Sequence, residues 1–264
     1  MARQRSIITL SGKIGNQVFV DSTSYKKHVR MPVRSGSRKD QPELKKQYSR
    51  TGFLNNLASQ INVIMANQTD HFKGRSFYAE MQKLFRKETY DNRFLLLHQL
   101  EKLEINSLYR RTRFGTATLK YNISDDEFTI TLKPENHPAG SMSLNCYYLE
   151  LLLLQWDAAD KAPSCVKQLS EWINMDDRLP EFDFIFDRNK DTVHWMLCLG
   201  QRQGLNKEAN RNLECYGMEI IKTGTFNEED LSILCEREEQ KKKEVKMRLS
   251  KPEENVVRVK AKRS

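Results

Sequence analysis

Residues 145–156 read N-C-Y-Y-L-E-L-L-L-L-Q-W, and the structural class of the chain turns on them. The apolar core of this run, Leu149 to Trp156, contains Glu150 and Gln155 and falls far short of the roughly 18 uncharged apolar residues of a membrane span. Flanked by stretches that alternate apolar and polar residues, it reads as a buried strand. Upstream, G-T-A-T-L-K-Y-N-I (115–123) and E-F-T-I-T-L-K (127–133) alternate around the turn signal S-D-D. Downstream lie V-K-Q-L-S-E-W-I-N, E-F-D-F-I-F, T-V-H-W-M-L-C-L-G-Q and L-E-C-Y-G-M-E-I-I-K-T-G. About seven strands separated by polar turns predict an antiparallel β-sandwich over residues 104–226.

Towards the N-terminus the texture is helical. From Pro42, Leu54, Leu57, Ile61, Ile64 and Met65 recur at three- and four-residue intervals. Phe77, Met81, Leu84 and Phe85, and then Leu96, Leu100 and Leu103, repeat the pattern, which predicts three short helices over 42–103. Before them, residues 6–33 read as two short strands and a tight turn, 6–20 followed by 25–33 with Gly12 and Gly15-Asn16 as bulge or turn positions, a β-hairpin or small meander, and R-S-G-S-R-K-D-Q-P (34–42) as a polar basic linker, so that 1–41, an N-terminal β-hairpin and linker, forms a segment of its own. After the strands, Asn227 with Asp230 three residues on caps a charged helix from about 228 to 249, closed by Pro252 and followed by a basic tail, the 227–264 segment. The class predicted is α+β.

Charge is distributed unevenly. The chain of 264 residues carries a formal net charge of +9. Residues 1–50 hold 12 Lys+Arg against 3 Asp+Glu, and residues 236–264 hold 11 against 6, so the stretch between is net acidic with 21 against 26. No signal-peptide apolar region follows Arg3 and Arg5, because Ile7–Leu10 runs straight into Ser11, Gly12 and Lys13; the expected location is cytoplasmic. The five cysteines, Cys146, Cys165, Cys198, Cys215 and Cys235, are odd in number, widely spaced and without a Cys-x-x-Cys pair, as expected of reduced, buried thiols.

Catalytic and cofactor signatures are missing from the sequence. There is no G-x-S-x-G elbow, P-loop or G-x-G-x-x-G opening a helix, and S-G-K-I-G-N (11–16) has β texture on both sides, as a turn does. His28, His71, His98, His137 and His194 occur singly, with no spacing that puts two rings on one helical face; His98 and His194 read as hydrogen-bonded core or rim residues. The acidic pairs Asp125-Asp126 and Asp176-Asp177 sit at turns, and Glu228-Glu229-Asp230 opens a helix, where negative charge suits the dipole. Neither a metal nor a cofactor is expected, and the chain reads as non-enzymatic.

The basic ends carry the functional content. Lys26, Lys27, Arg30, Arg34, Arg38, Lys39, Lys45, Lys46 and Arg50 spread over the linker and the first helical turns, with Tyr25 and Tyr48 as stacking surfaces. The same residues also suit a solvated connector that keeps the chain soluble. In E-R-E-E-Q-K-K-K-E-V-K-M-R acids and bases alternate at i, i+4 spacing, which leaves Arg258, Lys260, Lys262 and Arg263 as the unopposed C-terminal set.

The opening M-A-R-Q-R-S-I-I-T-L-S-G-K-I-G, the Gln47-to-Asn56 helix start, H-P-A-G-S-M-S-L-N-C-Y-Y-L-E and V-H-W-M-L-C-L-G-Q-R-Q-G-L-N-K resemble a group of small uncharacterised Bacteroidetes proteins. The resemblance covers most of residues 1–226. It implies a short N-terminal β-hairpin and helices before a β-rich C-terminal half, and carries no activity or site residue. The chain departs from the group in its additional lysines and in the charged helix and basic end after Phe226.

Two functions are therefore expected to compete. One is a structural or assembly protein that docks on a protein partner or on another copy of itself through the hairpin and basic linker. The alternative is a nucleic-acid-binding protein that uses both basic ends.

Overall fold

The computed structural model of the chain describes residues 2–3, 12–14, 17–20, 28–30, 42–69, 74–88, 91–106, 116–138, 144–158 and 162–249. It divides into two units, Met1–Phe53 and Leu54–Ser264, with the division inside the first helix. In the first unit, β1 (Ala2–Arg3), β2 (Gly12–Ile14), β3 (Gln17–Val20) and β4 (His28–Arg30) pair in the order β1-β4-β3-β2. Ile14 stands opposite Gln17 and Val18 opposite Arg30, all pairs antiparallel.

Helix α1 (Pro42–Gln68) begins on the proline, whose fixed φ and missing N–H suit a first helical turn. Its stripe of Leu54, Leu57, Ile61 and Met65 is buried. At 27 residues it is not the short helix predicted: nothing in the sequence stops it before Thr69, and Gly52 mid-helix meets open space. Helix α2 (Gly74–Phe85) buries Phe77, Met81 and Phe85, and Gln82 Nε2 reaches the Leu54 carbonyl at 3.4 Å. Helix α3 (Arg93–His98) is capped by Asn92, whose side chain accepts the Leu95 N–H. It ends earlier than its leucine spacing suggests because Lys102 takes a positive φ of 69° and the chain turns onto a sheet edge.

The remaining strands are antiparallel. Strands β5 (Ala117–Ile123), β6 (Glu127–Pro134) and β10 (Phe182–Asp187) form a three-stranded sheet with β6 central. A larger sheet is built on β7 (Cys146–Asp157) and β11 (Thr192–Leu205), with β8 (Ser164–Leu169) and β9 (Ile173–Asn174) beside β7, and β12 (Glu208–Ala209) and β13 (Tyr216–Thr225) beside β11. The outer side of β13 is paired in turn: the N–H groups of Lys102 and Ile105 donate to the Ile220 and Met218 carbonyls, and the Ile220 N–H to Leu103. The last described element is helix α4 (Glu228–Leu249). The architecture is mixed α+β with a β-rich second half.

Alternation sorts the side chains. On β6, Phe128, Ile130 and Leu132 point inward while Thr129, Thr131 and Lys133 do not. They join Phe184 and Phe186 of β10, Leu149, Leu151 and Leu153 of β7, and Trp195, Leu197 and Leu199 of β11 in one buried cluster. Phe128 packs edge-on to Trp195 (5.5 Å, 73°) and to Phe226 (5.9 Å, 65°). The opposite residues of β7, Leu152, Leu154 and Trp156, are also fully buried, so β7 is apolar on both faces and shows no period of two. On that second face α3 packs against β13 and β11.

Two details were not apparent in the sequence. Strand β11 runs through Arg202-Gln203-Gly204-Leu205 into a two-residue hairpin at Asn206-Lys207, both at positive φ (53° and 64°), the backbone of a primed hairpin turn. Asn145 braces this turn by accepting the Asn206 N–H at 2.8 Å and donating to the Asn206 side chain at 3.0 Å. The stretch read as a single strand over 166–174 is split into β8 and β9, because Ser170 Oγ accepts the Leu149 N–H and the ladder is interrupted there.

Gly224 lies flat beneath Trp195: a Cβ there would stand 2.3 Å from the indole ring. Gly224→Ala should therefore lower stability by about 1–3 kcal/mol. Gly52→Ala, in an exposed helical turn, should raise it by up to about 1 kcal/mol. Urea unfolding midpoints of the two variants, moving in opposite directions, check both statements.

Candidate functional site

Of the basic residues singled out in the sequence, Arg30 stands on β4 and Lys45, Lys46 and Arg50 on the opening turns of α1. Lys46 and Tyr48 are exposed, Tyr48 by 64%, and one helical turn separates Lys46 from Arg50. Lys26, Lys27, Arg34, Arg38, Lys39, Arg258, Lys260, Lys262 and Arg263 lie outside the described residues.

The acidic pairs have local partners. Asp125 and Asp126 occupy a tight β5–β6 turn closed by the Ser124 N–H to the Glu127 carbonyl, with Asp125 fully exposed. Asp177 accepts from Asn174 Nδ2 at 2.7 Å, and its carbonyl oxygen contacts the His137 ring. Among the described residues no group of three or more His, Cys, Asp or Glu is arranged to hold a metal ion. All five cysteines are free; Cys146, Cys198 and Cys215 are buried, Cys165 is half-buried and Cys235 is exposed. Burial pushes the Cys198 thiol well above its ordinary pKa, with Cys165 adding to the shift.

Asp230 behaves differently from the dipole-matching role read for it. Asn227 caps α4 as expected, accepting the Glu229 N–H. Asp230 instead turns into the body: Oδ2 lies 2.9 Å from His194 Nε2 and 3.3 Å from Thr225 Oγ1, and Oδ1 accepts from Asn92 Nδ2 at 2.6 Å. The His194 ring lies parallel to Phe94 (centroids 6.3 Å apart, 7°). Its Nδ1 is buried without a hydrogen-bond partner. Burial pushes the His194 pKa down, against the pull of Asp230, and nearby Arg93 lowers it further. The arrangement therefore favours a neutral ring with its proton on Nε2, donated to a carboxylate. A second N–H at Nδ1 would be stranded.

Two further acids, buried Glu88 and half-buried Glu101, fix the helices. Glu88 receives a bidentate pair from Arg237 (2.6 and 2.8 Å) and a bond from Gln99. Glu101 Oε1 accepts from the N–H and hydroxyl of Thr223, both at 2.9 Å, and lies near His98 Nδ1 (3.3 Å) and Lys222 Nζ (3.6 Å). Burial alone would raise the Glu101 pKa, but these bonds and His98 outweigh it and hold it at about 2. Sequence reading took Asp230 for a helix-opening acid and did not single out Glu88 or Glu101, because Asn92, Arg237 and Thr223, which bind them, lie far along the chain.

No family model matches the chain, and comparison with curated proteins and with solved structures returned no match. The functional reading therefore rests on this geometry and on the distribution of charge.

The carboxylates fix two measurable properties. Because Glu101 titrates lower in the folded state than its ordinary 4.5, it stabilises the fold above pH ~4.5, and that contribution, on the order of 3 kcal/mol, fades as pH falls towards ~2. Glu101→Gln should flatten the stability profile over that interval, as read by urea midpoints at successive pH values. Asp230→Ala removes the carboxylate that His194 and Asn92 share, and Arg237→Ala removes the bidentate partner of buried Glu88, so each should cost about 2–4 kcal/mol. Amide hydrogen exchange should quicken along 228–240 in both variants while β7 and β11 stay protected.

Proposed function

We propose that this chain is a non-enzymatic structural or assembly protein, which docks on a protein partner or on another copy of itself through its N-terminal β element and basic linker. The observation that carries the reading is the first unit itself. Its four strands are two to four residues long, and a sheet of such strands is marginal in water unless it packs on something larger. The register of Ile14 opposite Gln17 supports an N-terminal hairpin at β2 and β3. In the second unit the cluster shared by both sheets supports a β-sandwich with a core of its own. Residues 1–50 add an unbalanced positive charge to the presenting element, which favours fast encounter with an acidic surface.

A specific observation keeps nucleic acid as the second reading: the exposed Tyr48 stands among Lys45, Lys46 and Arg50 at the start of α1. An exposed aromatic ring in a basic stretch of sequence suits a single strand.

The first reading is tested by light scattering after size exclusion on the full chain and on a chain lacking residues 1–41. Association lost with the segment is expected; two equal monomer masses at high concentration would sink self-docking. For the second, retention on single-stranded DNA or RNA at about 50 mM salt, lost steeply on raising it, is the expected mark. No retention at that salt removes it.

A further inference from the structure

The sheet edges of the second unit are not equivalent. The outer side of β13 is occupied by residues 102–105. Strand β5 carries exposed Lys120 at its centre, and β10 carries exposed Asp183 and Asp187; charges of this kind discourage another strand from pairing. Strand β8 has no such guard. Its one charged residue, Lys167, turns away to Glu150 Oε2 (3.0 Å) and to the Gln68 carbonyl (2.9 Å). Among the described residues β8 pairs only with β7. Since the Ser170 N–H bonds back to Leu149, alternation along the strand turns the N–H and C=O groups of Cys165, Lys167 and Leu169 to the open side. Val166 and Leu169 are 41% and 55% exposed on this strand. Ile185 of β10, 51% exposed, lies nearby, for Gln168 Nε2 reaches its carbonyl at 2.6 Å.

The surroundings of this edge carry a definite sign. Residues 171–187 hold six acids, Glu171, Asp176, Asp177, Glu181, Asp183 and Asp187, against the single base Arg178, and all six are exposed. An uncharged, partly apolar strand edge with an acidic border suits an extended segment that is apolar in alternation and basic overall. Residues 1–41 have that composition, nine bases against two acids, and in them the apolar I-I-T-L (7–10) is followed by β2, an outer strand of the first unit's sheet.

We propose that the open edge of β8 is the receiving surface for the N-terminal segment, residues 1–41, of a second copy of this chain, added as a strand and held by the acidic border. This rests on the docking function proposed above and names its partner surface. The two faces of the contact differ, so it closes either by reciprocal exchange between two copies or head-to-tail into rings and open chains.

The test uses the full chain with a photoreactive benzoylphenylalanine at position 169, in an equal mixture of isotope-labelled and unlabelled copies. Mixed-isotope crosslinks from position 169 into residues 1–41 are expected. Leu169→Lys, and separately the pair Asp183→Lys with Asp187→Lys, should each weaken association about tenfold or more with unchanged circular dichroism and melting temperature. If deleting residues 1–41 abolishes association while the crosslinks fall elsewhere and both sets of variants associate like the parent, the β8 assignment is overturned and docking by the N-terminal unit stands. If the full chain stays monomeric up to about 200 μM, a weak affinity by any measure, both the β8 assignment and self-docking are overturned.

Discussion

The ladder between β7 and β11 is buried on both faces, and most of the second unit is arranged around that fact. Register runs from Thr192 opposite Asp157 to Gly204 opposite Cys146. One face, through Leu149, Leu151, Leu153, Trp195, Leu197 and Leu199, belongs to the core shared with the three-stranded sheet. The other, through Leu152, Leu154, Met196 and Cys198, is equally withdrawn from water. At roughly 1.5–3 kcal/mol for each buried large side chain, this pair of strands is the main apolar contribution to the unit, and the smaller elements are stable by packing on it.

A sheet covered on both sides leaves little room for polar groups, and Glu150 is one that remains. Glu150 sits in the covered face of β7, and it fits because Gly200 opposite has no side chain: a Cβ there would lie 2.5 Å from Glu150 Cγ. Lys167 on β8 neutralises the carboxylate and also donates to the carbonyl of Gln68 at the end of α1, where a helix terminus favours a cation. A buried pair of this kind adds little net stability over apolar packing, but removing one partner strands the other. Its effect is to set where α1 ends against the sheet edge.

How much of this was legible in the sequence depended on whether the deciding contact was local. Strands β6, β7 and β10 appear within a residue of their predicted bounds, because alternation and apolar runs are properties of neighbours. The β11–β12 hairpin was not seen, because Asn206 and Lys207 take positive φ without glycine and are held by Asn145, distant along the chain. The break between β8 and β9 was hidden for the same reason: a serine side chain, not a turn residue, interrupts the ladder. Asp230 resembled one more acid at a helix start, and only the fold brings it to His194 and Asn92. Of the candidate site, the charge asymmetry was legible at once, whereas the unguarded edge of β8 depends on Lys167 turning inward, which no spacing reveals.

The clamps on α4 have a further consequence for the charged C-terminal region. Asp230 and Arg237 engage partners on the body, half-buried Asn92 with His194 and buried Glu88 respectively. They lie seven residues apart on the helix, about two turns, so the first ten residues of α4 are fixed at two points on one face. Glu236, Glu238, Glu239 and Gln240 are exposed, and the residues that follow are mostly basic. The helix therefore passes from a stretch anchored through Asp230 and Arg237 to one whose acids and bases alternate along the sequence. Anchoring at this end is carried by Asp230 and Arg237, which are distinct from the unopposed bases further along the sequence, so the two sets respond to separate changes.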